Sequence, residues 1–251
     1  MNNNLAKRII PCMDVADGKV VKGINFKNLK TVGDAVKLGK YYSENGADEL
    51  IFLDITATKE KRKTLIDLVK KVSKNIFIPF NVGGGIKTID DIQSILLSGA
   101  DKISICSEAI KNPKLVKKAS KRFGSQCIVI SLDCKRKGDS WTLFINGGSK
   151  ETEIDAIKFA KKMEKLGAGE LLVNSLDEDG TKQGYDLKLL EKISQNVNIP
   201  VIASSGVGKK EDFTKAFEYV DACLAASIFH SKIIKIPKLK KYLSKFLTIR
   251  I

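Results

Sequence analysis

Along the chain, short runs rich in Val, Ile, Leu and Phe alternate with longer stretches in which apolar positions recur every three or four residues. The runs have the length of buried strands, and the stretches carry the period of amphipathic helices. The pattern predicts strands over 8–14, 49–54, 78–82, 102–106, 127–133, 170–175, 200–204 and 222–226, with helices over 36–45, 62–73, 89–97, 112–120, 155–166, 187–194 and 211–219. Near-continuous apolar strands, each followed by a helix, suit a parallel sheet covered on both faces. Eight units at near-uniform spacing, with no break in composition, predict a closed (β/α)8 TIM barrel over 1–251 as one domain, rather than an open doubly wound sheet. The length of 251 residues agrees with the ~250 typical of such a barrel.

Two segments about 120 residues apart follow one script. Ile78-Pro79-Phe80-Asn81-Val82-Gly83-Gly84-Gly85-Ile86 corresponds to Ile199-Pro200-Val201-Ile202-Ala203-Ser204-Ser205-Gly206-Val207, and Ile105-Cys106-Ser107 to Ala225-Ala226-Ser227. Earlier in each half, Ile9-Ile10-Pro11-Cys12-Met13-Asp14 is mirrored by Ile128-Val129-Ile130-Ser131-Leu132-Asp133, and Phe52-Leu53-Asp54 by the region 173–177. The barrel therefore reads as two similar half-barrels of four βα units each.

Composition narrows the function. At 43% apolar residues the chain can fill a large core, which excludes disordered and fibrous classes. No stretch has the ~20 apolar residues that span a bilayer, and the opening residues lack a signal-peptide pattern, so no membrane role and a cytoplasmic location are expected. A net charge of +15 invites a nucleic-acid reading, but the lysines are interleaved with acids, as in Lys59-Glu60-Lys61-Arg62-Lys63, and only five of the cations are Arg. Solvated helix faces explain the charge, and no nucleic-acid partner is expected. The five cysteines are odd in number without C-x-x-C spacing and read as reduced thiols, while one histidine, His230, cannot make a multi-His metal centre.

Three groups carry candidate chemistry. Asp14 and Asp133 each end an apolar strand at equivalent places in the two halves, so they face each other across the C-terminal mouth, where barrel active sites lie. Two carboxylates there suit general acid/base catalysis. Gly83-Gly84-Gly85 with Ser107, and Ser204-Ser205-Gly206 with Ser227, offer backbone N–H groups and hydroxyls to anions, and two such cradles at half-barrel spacing suggest a ligand phosphorylated at both ends. Asn25, Asp54, Asn174, Asp177, Asp179 and the run Gly180-Thr181-Lys182-Gln183-Gly184-Tyr185 surround the mouth, about half of them as turn formers. At the opposite end, Arg8, Glu49, Lys102 and Glu170 begin four strands and form either a stabilising plug or a gate.

Several long segments, in order along nearly the whole chain, resemble the cyclase subunits of imidazole glycerol phosphate synthase in histidine biosynthesis. They include the run from Leu5 to Val15, Gly18-Lys19-Val20-Val21-Lys22-Gly23, Glu49-Leu50-Ile51-Phe52-Leu53-Asp54-Ile55-Thr56-Ala57, Val82-Gly83-Gly84-Gly85-Ile86, the run from Asp177 to Asp186, and Leu224-Ala225-Ala226-Ser227-Ile228-Phe229-His230. The resemblance implies a bis-phosphorylated aminoimidazole carboxamide ribonucleotide as substrate, ammonia from a glutaminase subunit docked at the N-terminal face of the barrel in a heterodimer, and no metal or organic cofactor. It puts catalysis on Asp14 and Asp133. Substrate and phosphate binding falls on Lys22 of a mobile first loop, Gly84, Gly85, Ser107, Asn174, Asp179, Gly180, Ser204, Ser205, Gly206, Ala226 and Ser227. It makes Arg8, Glu49, Lys102 and Glu170 an ammonia gate.

The chain also departs from that family pattern. Cys106 stands where Asn is usual, Asn174 and Asn81 where Thr is usual, and Ser205 and Glu153 where Gly is usual. These departures raise a second reading, a cyclase-like paralogue that with a glutaminase supplies ammonia to a sugar amidotransferase in surface-glycan biosynthesis. A third is a non-catalytic phosphosugar-binding scaffold.

Overall fold

A computed structural model of the chain describes residues 5–16, 18–24, 27–55 and 62–251, with backbone alone at 22–24, 27–30 and 62–64. The first half runs β1 (Arg8–Ala16), β2 (Lys19–Ile24), β3 (Lys27–Asp34), α1 (Ala35–Glu44), β4 (Leu50–Asp54), α2 (Arg62–Ser73), β5 (Phe80–Gly83), α3 (Ile89–Leu97), β6 (Lys102–Ile105), α4 (Ser107–Lys111) and α5 (Pro113–Phe123). The second runs β7 (Ile128–Lys137), β8 (Ser140–Ile145), β9 (Lys150–Asp155), α6 (Ala156–Lys165), β10 (Glu170–Ser175), α7 (Leu187–Ser194), β11 (Val201–Ser204), α8 (Lys210–Ala216), β12 (Ala222–Ala225), α9 (Ser227–His230) and α10 (Ile236–Leu243). Strands β1, β4, β5, β6, β7, β10, β11 and β12 pair in parallel in that order, and β12 returns to β1. The sheet is the closed (β/α)8 barrel that the periodicity predicted.

Alternation along each strand sorts the core into two layers. On β1, Ile9, Met13 and Val15 point outward to the helices, while Ile10 and Cys12 point into the barrel. The interior is filled by these two with Ile51, Val129, Leu172, Ile202, Ala222 and Leu224, all buried. Arg8 and Asp14 share the parity of Ile10 and Cys12, so one strand delivers a cation to the bottom of the lumen and a carboxylate to the top.

One expectation needs correcting. Asp14 and Asp133 do not end their strands, because β1 and β7 continue past them and fold back as antiparallel hairpins, with Asp14 opposite Val21 and Asp133 opposite Phe144. In each half a third antiparallel strand, β3 or β9, then leads into a helix capped by an aspartate: Asp34 accepts from Lys37 N on α1, and Asp155 from Lys158 N on α6. The hairpins escaped the periodicity argument because their outer strands are polar; Lys150–Asp155 has no buried residue. Gly18 and Gly138, both at positive φ, were the available turn signals.

Candidate functional site

The mouth is built by the ends of the barrel strands. Asp14 lies on β1 and Asp133 on β7, the fifth strand around the ring counted from β1, so the two stand on opposite walls. Asp14 is 7% exposed. Asp133 is held from both sides: Asn174 Nδ2 donates to its Oδ1 at 2.9 Å, and the Cys106 thiol lies 3.5 Å from its Oδ2. The same amide donates to Ser131 Oγ at 3.0 Å. Burial pushes the Asp133 carboxyl above its ordinary value, the donors Asn174 and Cys106 pull it back, and the nearby Asp179 adds to the rise. Cys106 itself is pushed well up by burial and by the Asp133 charge, so it is a thiol donor.

The two cradles follow β5 and β11. Gly84 and Gly85 take φ of +102° and +60°, and a Cβ on Gly84 would lie 2.2 Å from the Asp54 carbonyl oxygen, so this glycine is also required by packing. Thr88 and Asp91 form a reciprocal capping box at the start of α3. In the second half, Ser205 takes φ of +76° where a glycine is expected, and a Cβ on Gly206 would lie 2.1 Å from the Gly184 oxygen. Each cradle is completed by a short helix entered through an unusual backbone: Cys106 at φ −110°, ψ −95° before Ser107, and Ala226 at φ −118°, ψ −77° before Ser227. Ser204 ends β11 in a buried position.

Other mouth residues divide by what they touch. Asp177 accepts from Arg136 N at 2.7 Å, Thr181 donates to the Glu178 carbonyl at 2.9 Å, and Asp186 caps α7, so these three shape the loop after β10. Asp179 and Gly180 lie in that loop, Gly180 at positive φ. Lys22 lies on β2 rather than in a loop, but its side chain, like Asn25, is outside the described residues. Residues that the sequence reading passed over also reach the mouth: Ser107 Oγ accepts from Asn146 N at 2.9 Å, bringing the tip of the β8–β9 hairpin onto the first cradle. The run Asn146-Gly147-Gly148, all at positive φ, was its sequence signal.

At the bottom, four charges close into a ring. Arg8 Nη1 donates to Glu49 Oε2 at 2.7 Å and its Nη2 donates to Glu170 Oε1, while Lys102 Nζ donates to Glu49 Oε2 at 2.8 Å and to Glu170 Oε2 at 3.0 Å. Glu49 is buried and its Oε1 has no hydrogen-bond partner. Burial raises the Glu49 carboxyl despite Lys102 and Arg8, and for Arg8 the carboxylates Glu170 and Glu49 outweigh burial and raise the guanidinium. Above the ring lie the apolar interior and, within it, the fully buried Asn81, whose Oδ1 accepts from Ser104 Oγ at 2.9 Å. His230, by contrast, pairs with Tyr42 (Oη to Nδ1, 2.6 Å) against the outer core. The cysteines are all free, and among the described residues no helix is long and apolar enough to cross a membrane.

Fold and mouth together define a class: a (β/α)8-barrel enzyme built from two like halves. Within it, a family model of histidine biosynthesis proteins matches residues 8–235. The imidazole glycerol phosphate synthase subunit HisF of Hydrogenobaculum sp. (strain Y04AAS1) is 58% identical over 244 residues, covering 96% of this chain and 97% of that protein. Those of Clostridium botulinum (strain Kyoto / Type A2) and Endomicrobium trichonymphae are 56% and 54% identical, covering 96% and 98% of this chain and 97% and 96% of theirs. The chain belongs to the histidine biosynthesis protein family, among its imidazole glycerol phosphate synthase HisF subunits.

Proposed function

We propose that this chain is the cyclase subunit of imidazole glycerol phosphate synthase. It uses ammonia from a glutaminase subunit to convert the bis-phosphorylated ribulosyl formimino aminoimidazole carboxamide ribonucleotide into imidazole glycerol phosphate and aminoimidazole carboxamide ribotide. The observation that carries this reading is the pair Asp14 and Asp133 on opposite walls of the mouth, each on the strand next to the anion cradle of the other half. The cradle of Gly84, Gly85 and Ser107 takes one phosphate. The cradle of Asp179, Gly180, Ser204, Ser205, Gly206, Ala226 and Ser227 takes the other, and Lys22 belongs to the substrate-binding set. Held by its ends, the substrate spans the mouth with its reacting carbons between the carboxylates. Ammonia addition and ring closure need a proton removed and a proton delivered in turn, which two carboxylates in unlike settings supply.

Ammonia enters from below. The lumen behind the ring of Arg8, Glu49, Lys102 and Glu170 is lined by Ile10, Ile51, Val129, Leu172, Ile202 and Leu224; such a lining passes neutral ammonia and disfavours ammonium. Opening the ring means separating paired charges, a step that a docked partner can drive. Leu5, Phe77 and Leu97, which precede β1, β5 and β6 at this end, are 69%, 94% and 78% exposed and form the apolar part of the glutaminase docking face. The relatives carry the synthase name, and nothing in the mouth favours the ammonia-supplying paralogue over it.

The test is turnover of the purified chain with the bis-phosphorylated substrate and an ammonium salt at mildly alkaline pH, beside Asp14→Asn and Asp133→Asn. Turnover by the wild type and failure of both variants are expected. An inert wild type that still binds and stimulates a glutaminase would instead favour the ammonia-supplying reading.

A further inference from the structure

Two of the departures from the family pattern, Cys106 and Asn174, are the two side chains whose polar atoms meet the Asp133 carboxylate, one on each oxygen. They come from the strands on either side: Cys106 follows β6 and Asn174 lies on β10, in register with Asp133. The other half of the barrel provides an internal control. The residue in register with Asp14 is Leu53, and the residue that follows β12, as Cys106 follows β6, is Ala226. Both are apolar and pack against the barrel interior. The fold therefore does not need polar side chains at these two places; where they occur, they serve the carboxylate beside them.

We propose that Asn174 is a positioning residue for Asp133, with Cys106 as its weaker counterpart, and that it acts on the base or acid of the reaction rather than on the phosphates. Its amide fixes the orientation of the carboxylate by one hydrogen bond while the second N–H anchors the amide to Ser131 Oγ, so the donor cannot swing into the mouth without breaking both bonds. A hydrogen bond to the charged form also favours ionisation and offsets burial. Besides Cys106 and Asn174, the titratable groups that bear on Asp133 are Asp179 in the loop after β10 and the neighbouring thiol Cys134. In this chain the thiol stands at 106 and the amide at 174, one on each side of Asp133.

This inference rests on the catalytic role proposed for Asp133, and ammonia-driven turnover separates the two. If the wild type is inert, the function proposed above fails; if it turns over, the variants test the positioning role. In Asn174→Leu, kcat is expected to fall about 10- to 100-fold with KM for the bis-phosphate substrate within about threefold, as for loss of an interaction felt in the transition state. One limb of the pH–rate profile moves to higher pH while the other stays. Cys106→Ala shifts the same limb in the same direction by less, since a thiol is a weak donor. The double variant Cys106→Asn/Asn174→Thr returns the amide to the other side, and it recovers most of the kcat lost in Asn174→Thr alone. Because it keeps one amide on Asp133, it carries the test even where Asn174→Leu does not fold. A rise in KM with both limbs unmoved would overturn the proposal and make Asn174 a substrate contact; so would a double variant no better than Asn174→Thr.

Discussion

The two halves of the barrel share a backbone plan and differ in the side chains hung on it. Each opens with a long strand, a hairpin and an aspartate-capped helix, and each forms a cradle after its third barrel strand. Yet Asn174 and Cys106 hold the carboxylate of the second half, and the residues at the equivalent places in the first half are Leu53 and Ala226. The bottom is unequal too. Glu49 and Glu170 occupy equivalent strand starts, but both cations that bridge them, Arg8 and Lys102, come from the first half, where the second has Cys127 and Ala222. Symmetry thus supplies two glycine- and serine-lined turns and two carboxylates, and breaking it supplies two different carboxylates and a ring of alternating charge.

The sharpest way to break the comparison is to remove each carboxylate. Asp14→Asn and Asp133→Asn should each lower ammonia-driven kcat by about 10²- to 10⁴-fold, the range of general acid/base catalysis; a variant retaining wild-type kcat would confine catalysis to one half. At the bottom, Glu49→Ala leaves Arg8 and Lys102 short of a buried partner and should destabilise the fold by about 3 kcal/mol in denaturant titrations. A loss below about 1 kcal/mol would mean that water already screens the ring. Phe77→Asp should abolish most glutamine-driven turnover while leaving ammonia-driven turnover intact, and equal losses in both assays would remove Phe77 from the docking face.

A smaller effect separates the halves by pH. Since burial raises the Asp133 carboxyl, the folded chain keeps a proton that the unfolded chain has released, and stability falls as pH rises from the ordinary carboxylate value to the raised one. Above that window the cost is fully present, so Asp133→Asn should stabilise the fold at neutral pH, and less so at pH 4. Melting curves at the two pH values would show it; an advantage that grew toward acid would reverse the sign and refute the account. Smallest is Ser205→Gly. Relief of a positive φ at a non-glycine residue should add about 0.5 to 1 kcal/mol, and an unchanged melting temperature would mean that the seryl side chain repays its strain.

What the sequence by itself determined was what periodicity and repetition encode. Barrel strands buried on both faces are apolar throughout, so all eight were legible, and internal repetition placed Asp14 opposite Asp133 before any coordinates. The charged ring of Arg8, Glu49, Lys102 and Glu170 was legible as charges at the starts of apolar strands. The hairpins were not, because their outer strand Lys150–Asp155 has no buried residue and so no apolar alternation to show. Nor were the partners of Asp133: Cys106 and Asn174 are separated from it by 27 and 41 residues, and only closure of the barrel, which sets neighbouring strands in register, brings their donors to its oxygens. Periodicity reports which face of a strand is buried, but not what stands opposite it on the next strand. That second kind of information belongs to tertiary structure, and it is what makes two carboxylates of the same origin chemically different.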